Sequence, residues 1–215
     1  HTCGIMTNGS VYCWGYNYFG ELGTGNYYNS SNPIAVNTTK LFKTISVGGY
    51  ELGESHTCGI MTNGSVYCWG YNYYGQLGDG TTTDNNNPTA VNITSTFISI
   101  SAGRYHTCGI MTNGSVYCWG NGGNGKLGYG DTVDQSNPTA VNTTGLFKVI
   151  SAGPAHTCGI MTNGSAYCWG AGIYGRLGYG DIVNQNNPIS VNITGLFKTI
   201  SAGEYHTCGV LINGS

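Results

Sequence analysis

The chain has 215 residues, a formal net charge of −2 and only 7% charged residues, against about 25% in ordinary soluble proteins. Its seven Lys and Arg stand singly along the sequence, which excludes the basic stripe that nucleic acid or an anionic membrane requires. No apolar run approaches the roughly 18 residues of a membrane-spanning helix, and 17 Tyr with 4 Trp argue against disorder.

The opening stretch, His1-Thr-Cys-Gly-Ile-Met-Thr-Asn-Gly-Ser-Val-Tyr-Cys-Trp-Gly15, returns nearly unchanged from His56, His106 and His156, and its first part returns from His206. In the copy at His56, Thr57–Met61 and Ser65–Trp69 read as two short strands. Between them Thr62-Asn63-Gly64 suits a three-residue hairpin loop with Gly in the left-handed region. That register sets Met61 opposite Ser65 and Cys58 opposite Cys68. Facing residues have Cα atoms about 4.5–5.5 Å apart, within disulfide reach. Bridges are therefore predicted for Cys3–Cys13, Cys58–Cys68, Cys108–Cys118 and Cys158–Cys168, each contributing roughly 3 kcal/mol by the chain-entropy estimate. Cys208 is left without a partner. Paired cysteines at fixed spacing point to an oxidising compartment.

After each hairpin comes a glycine-flanked leucine: Gly20-Glu-Leu-Gly23, Gly75-Gln-Leu-Gly78, Gly125-Lys-Leu-Gly128 and Gly175-Arg-Leu-Gly178. The leucine is expected to plug an otherwise irregular loop. A polar run then leads to Pro33, Pro88, Pro138 and Pro188, each followed by a short strand such as Thr89–Val91. Pro is tolerated at a strand start or on an edge strand, where no ladder N–H is needed. Leu146–Ser151 and its relatives supply a fourth strand. Four strands per unit and no helical periodicity make each unit one antiparallel sheet.

The His positions 1, 56, 106, 156 and 206 give a period near 50, which belongs to propellers and arrays. The units 1–55, 56–105, 106–155 and 156–205, with a partial one at 206–215, form a single repeat region. The five extra residues of the first unit fall in one loop, Gly48–Glu54.

The pattern Phe-x-x-Ile-Ser-Ala-Gly-x-x-His-Thr-Cys-Gly-Ile-x-Thr-Asn-Gly-x-Val-Tyr-Cys-Trp-Gly, followed by Gly-Gln-Leu-Gly-Asp-Gly-Thr-Thr at Gly75–Thr82, resembles the repeat of the RCC1 (regulator of chromosome condensation) family. The resemblance covers essentially the whole chain. It implies an all-β fold, a β-propeller of four-stranded antiparallel blades, with seven blades in well-known members. It implies an inner strand at Phe97–Ser101 and an outer one at Pro138–Val141, so that the chain starts at the second strand of a blade. It does not imply one function, since the family includes a nuclear exchange factor for a small GTPase and secreted inhibitors of β-lactamases. Two departures stand out: cysteine pairs where many relatives have apolar residues, and four complete repeats instead of seven.

The five His all occupy one repeat position, and a catalytic site is seldom written five times, so they read as hydrogen-bonding posts at a strand start. His56, Cys58 and Cys68 lack the C-x₂₋₄-C spacing and fourth ligand of a zinc site. Asp131, Asp134, Asp181, Asn184 and Asp84 read as solvated loop groups in preference to a weak Ca²⁺ site. No nucleophile elbow, P-loop or dinucleotide fingerprint appears. The chain is thus expected to be no enzyme, to hold no cofactor or metal, and to bind no nucleic acid. The aromatic loop Tyr71-Asn-Tyr-Tyr74 either covers a blade edge or binds a sugar or protein.

Asn-x-Ser/Thr sequons stand at Asn8, Asn29, Asn37, Asn63, Asn92, Asn113, Asn142, Asn163, Asn192 and Asn213. In the hairpin turns Asn-Gly is also plain turn chemistry. The copies at Asn37, Asn92, Asn142 and Asn192 have no such local explanation and are expected to carry glycans. Disulfides, sequons and low charge together place the protein outside the cell or on its surface. Near-uniform repeats favour a structural role: a rigid array or filament built by self-association or by further repeats, the chain continuing past Ser215. The alternative is a secreted binding module, adhesin- or inhibitor-like, that recognises a protein or glycan through one face of loops. It draws on the differences at Asn121–Asn124, Ala171–Tyr174 and Gly48–Glu54.

Overall fold

Short β-branched and aromatic runs punctuated by Asn-Gly and Gly-x-Leu-Gly can bury themselves only by pairing locally and then stacking as sheets. In the computed structural model, which describes residues 1–49 and 53–214, the strands are β1 (Thr2–Ile5), β2 (Val11–Gly15), β3 (Ser30–Ala35), β4 (Phe42–Gly48), β5 (His56–Met61), β6 (Val66–Gly70), β7 (Asn85–Ala90), β8 (Phe97–Ala102), β9 (His106–Met111), β10 (Val116–Gly120), β11 (Gln135–Ala140), β12 (Phe147–Ala152), β13 (His156–Met161), β14 (Ala166–Gly170), β15 (Gln185–Ser190), β16 (Phe197–Ala202) and β17 (Thr207–Leu211). Strands β4–β7, β8–β11 and β12–β15 each make a four-stranded antiparallel sheet, ordered as in the chain. Three strands, β1–β3, precede them and a pair, β16–β17, follows. The first strand of each sheet packs on the first strand of the next, β4 on β8, β8 on β12 and β12 on β16. Those strands are innermost and the Pro-bearing strands form the rim, the arrangement of successive β-propeller blades. Each blade begins at the Phe strand and not at the His, so the first described strand is the second of its blade.

The hairpins have the register read from the sequence. Met61 N donates to Ser65 O at 2.8 Å, and Gly64 has φ +90°, a conformation that other residues adopt only with strain. Cys58 faces Cys68, and disulfides join Cys3–Cys13, Cys58–Cys68, Cys108–Cys118 and Cys158–Cys168, each pair with Cα atoms 4.1 Å apart. Cys208 is free and exposed. The rim strands differ from expectation: β7 starts three residues before Pro88, which lies inside it. Among the described residues only β6 pairs with β7, and that ladder shifts register between Cys68 and Gly70. An edge strand at an irregular ladder has room for a residue without an N–H.

Blades are locked together by equivalent residues, with one break in the pattern: Trp69 and Trp119 donate across a junction, while Trp169 Nε1 is buried without a partner among the described residues. Leu22, Leu77, Leu127 and Leu177 are fully buried, as their glycine-flanked setting implied. The loop carrying Leu77 reaches the following blade, where Trp119 Nε1 donates to Gln76 O at 2.9 Å. A Cβ on Gly78 would stand 2.6 Å from that nitrogen, so only glycine admits the indole. His56 Nε2 lies 2.7 Å from Thr107 Oγ1. Thr107 Oγ1 spends its one proton on Gln76 O at 2.9 Å, so it accepts from the imidazole and fixes the Nε2–H tautomer. His106 with Thr157 and His156 with Thr207 repeat the relay, so the histidines are posts between blades. Part of the Gly48–Glu54 insertion, Tyr50–Leu52, lies outside the described residues, as does Ser215 with the expectation attached to it.

Candidate partner-binding face

Antiparallel order within each blade divides the connections between two faces. Links from first to second strand and from third to fourth emerge on one side, the loop face. Hairpin turns and the links to the next blade emerge on the other, the turn face. The repeats treat the two differently. The first fifteen residues of the four full copies agree except at Ala166, where the others have Val. The next four residues, on the loop face, read Tyr16-Asn-Tyr-Phe19, Tyr71-Asn-Tyr-Tyr74, Asn121-Gly-Gly-Asn124 and Ala171-Gly-Ile-Tyr174. The residue before each plug leucine changes from Glu21 to Gln76, Lys126 and Arg176.

Two loop designs result. In the first two copies a buried Asn braces the loop: Asn72 Oδ1 accepts from Leu77 N at 2.9 Å, and its Nδ2 donates to Thr83 O at 2.9 Å. In the last two, glycine takes that place because the chain folds closer, and a Cβ on Gly122 would meet Val133 O at 2.2 Å. These tighter loops hold Asn124 at φ 62° and Tyr174 at φ 65°. Left-handed backbone at non-glycine residues costs about 1–3 kcal/mol and gathers at functional sites. The acidic loop residues serve the turns: Asp84 and Asp134 accept from Asn72 N and Gly122 N at 2.7 and 2.8 Å, as Asn184 does from Gly172 N. Among the described residues no group of three or more His, Cys, Asp or Glu is placed to hold a metal ion.

Aromatic rings run across the loop face. Tyr71 stacks parallel to Tyr73 and meets Phe19 edge-on at 4.8 Å, and Tyr74 leans on Tyr105 at 5.0 Å. Tyr18, Tyr73 and Tyr174 remain 67%, 66% and 71% exposed, too much for rings whose job is to seal a blade edge. Burial, then the nearby Glu54 carboxylate, raises the Tyr71 hydroxyl above its ordinary value. Burial and the hydrogen bond to Glu54 push Tyr105 up to about 12. Beside these rings lies a cleft of about 550 Å³ lined by Arg104, Lys126 and Arg176 together with Tyr74, Tyr105 and Tyr205. Three of the chain's seven cations, isolated in the sequence, thus meet in one place. Arg176 stands over Tyr174 and Tyr205 at 5.7 and 5.5 Å. Burial pulls Lys126 down to about 8, with Arg104 adding and Asp134 opposing. On the first blade burial pushes Glu21 up to about 7.

The sequons fall mainly on the turn face. Asn8, Asn63, Asn113 and Asn163 sit in the hairpin turns, their Oδ1 atoms accepting from the backbone two residues on at 3.0 Å, which leaves Nδ2 outward. Asn37, Asn92 and Asn142 have a role that the sequence did not show. Their Nδ2 atoms donate at 2.8 Å to Asn87, Asn137 and Asn187 of the following blade. Asn192 occupies the equivalent position, and all four are exposed. Asn29 alone of these nine lies on the loop face, where its Oδ1 accepts from Asn17 N at 2.8 Å.

The family model for the regulator of chromosome condensation (RCC1) repeat matches residues 63–110, 113–160 and 163–210, and a second RCC1 repeat model matches 1–21, 97–126 and 147–176. The ultraviolet-B receptor UVR8 of Arabidopsis thaliana is 33% identical over 91 residues, 42% of this chain and 20% of the receptor. Human WBSCR16 superposes with a TM-score of 0.84 at 23% identity, over 96% of this chain and 54% of that one. The ectodomain of the Physcomitrella patens receptor kinase CR4 superposes with a TM-score of 0.64 at 25% identity, over 98% of this chain and 47% of that one. The chain therefore spans about half the length of either solved structure and a fifth of the receptor.

Proposed function

The chain belongs to the RCC1 repeat family, and from that premise we propose that it is an extracellular, disulfide-stapled propeller region that binds a protein partner through its loop face while its turn face carries sugar. One observation carries this reading: repeats that agree in their hairpins diverge most where they reach the loop face. A purely structural array gains nothing from such divergence, whereas a binding surface requires its repeats to differ. Uniform repeats favoured the array in the sequence; the placement of the differences favours the binding module. Four stapled hairpins suit an oxidising compartment, and the likeness to a receptor ectodomain is in keeping with it. No helix of the described residues is long and apolar enough to cross a membrane.

Tyr18, Tyr73 and Tyr174 project from three blades into solvent, so truncating them should hardly affect folding. The triple variant Tyr18→Ala, Tyr73→Ala, Tyr174→Ala is expected to keep the wild-type melting temperature within a few degrees. It should bind the surface and secreted proteins of the source organism at least ten-fold more weakly, as loss of aromatic hot spots does. Wild-type binding by this variant, measured by biolayer interferometry, contradicts the loop-face reading.

A further inference from the structure

We propose that the cleft between the third and fourth blades is a carboxylate-binding site, and that its ligand is an Asp or Glu side chain on a protein partner. The inference rests on the loop face being the partner face and names the chemistry recognised there.

Arg104, Lys126 and Arg176 come from three separate loops and line one cavity. Arg176 is held in place by its own backbone contacts, Nε donating to Ile173 O at 3.0 Å and Nη1 to Glu204 O at 2.8 Å. Its aromatic neighbours Tyr174 and Tyr205 flank the guanidinium, which lines the cleft. Lys126 is only 5% exposed, yet no hydrogen bond or ion pair to its ammonium is found among the described residues. Burial strips part of the hydration from this ammonium, and an incoming carboxylate offsets that cost. Among the described residues the carboxylates nearby are already engaged, Glu204 of the cleft lining with the Tyr205 hydroxyl. Asp134 accepts from Gly122 N and Asn121 Nδ2, and Glu54 accepts the Tyr105 hydroxyl while facing Arg104 at 3.8 Å. Planar guanidinium forks matched to a carboxylate give the strong, directional hydrogen bonds that such a site needs.

A protein side chain fits better than an acidic sugar. Sugars favour the flat face of an aromatic ring, and in this cleft each ring is already engaged on one side by a cation or by another ring. Arg104 covers Tyr105 at 4.5 Å, Tyr74 leans on the same ring, and Arg176 stands over Tyr205. The polar lining is otherwise the three cations, Glu204 and the amides of Asn121, Asn124 and Asn184, so cations outnumber carboxylates three to one and the amides suit the peptide groups on either side of an incoming carboxylate.

The chain has only seven Lys and Arg, so each side chain can be followed by NMR in protein labelled on those residues. The probes are acetyl-Glu-Glu-Glu-amide, its all-Gln counterpart, trigalacturonate and sodium sulfate. The Glu peptide is expected to shift the Lys126 and Arg176 signals saturably, leaving Lys40, Lys43, Lys148 and Lys198 in place, and the Gln peptide to do nothing. Lys126→Met keeps the buried stem and should weaken the peptide at least ten-fold without lowering the melting temperature. Arg176→Gln is the second variant should the first fail to fold. Equal shifts at all lysines, no saturable shift, undiminished binding by both variants, or tighter binding of trigalacturonate or sulfate than of the peptide each overturn the assignment. If that happens while the tyrosine triple variant still loses partner binding, the carboxylate site fails alone. If the triple variant binds normally, the loop face itself is at fault.

Discussion

Replacing Trp119 with alanine is expected to destabilise the protein by about 3–5 kcal/mol, the range for a fully buried aromatic truncated to alanine. Trp119 has no exposed surface and packs with Leu77, Phe97 and Cys68 in a core shared by two successive blades. Its ring meets Phe97 at 6.2 Å and its Nε1 donates to Gln76 O. Truncation therefore opens a cavity at a blade junction and removes one of the two donors to Gln76 O, leaving only Thr107 Oγ1. Gly78, shaped to admit the indole, cannot close the gap. Trp14 has the same place in the first copy but is only half-buried, and Trp14→Ala should cost less than half as much. Urea denaturation of both variants checks this, and equal losses contradict a junction held by the indole.

Acid is expected to unfold the protein steeply. His56, His106 and His156 are buried and neutral, each donating from Nε2 with Nδ1 buried and without a partner. Burial lowers His56 to about 3 and His156 to about 4, and lowers His106 well below the ordinary 6.5. The sign follows directly: the unfolded chain takes up these protons near pH 6.5 while the folded one refuses them. Their stabilisation is complete above that pH and is lost as pH falls towards 4. Glu21 runs the other way, since a carboxyl raised to about 7 stabilises below its unfolded value near 4.5 and loses that contribution as pH rises through 7. Three protons against one leave a net two, about 3 kcal/mol per pH unit between pH 6 and pH 5. Glu21→Gln, the residue that the second copy has at Gln76, should steepen that slope and stabilise the protein at pH 8 by about 1–3 kcal/mol. A flat stability profile from pH 7 to pH 4, measured by urea titration, contradicts buried neutral imidazoles.

Local chemistry was the readable part of this chain. The hairpin register, Gly64 in its turn and Cys58 opposite Cys68 follow from spacings of a few residues; the repeat period carried the number of units, while the blade phase came with the family resemblance. Pro88 was misplaced by three residues because a polar edge strand shows no alternation to mark its start. The Asn92–Asn137 clasp was invisible because its partners stand 45 residues apart in runs that read as loop and sequon. Arg104, Lys126 and Arg176 looked isolated for the same reason. Each is alone on its own loop, and only the stacking of blades brings the three loops to one cleft.

The division of the molecule into a sugar-bearing turn face and a partner-binding loop face is tested most directly by intact-glycopeptide mass spectrometry on protein from its native source. The account predicts glycans on the turn face, foremost at Asn8, Asn63, Asn113, Asn163 and Asn192, whose Nδ2 atoms are uncommitted. Lower occupancy is predicted at Asn37, Asn92 and Asn142, whose Nδ2 atoms clasp the next blade, and none at Asn29, the sequon on the loop face. A glycan at Asn29, or a turn face bare at every site, contradicts it.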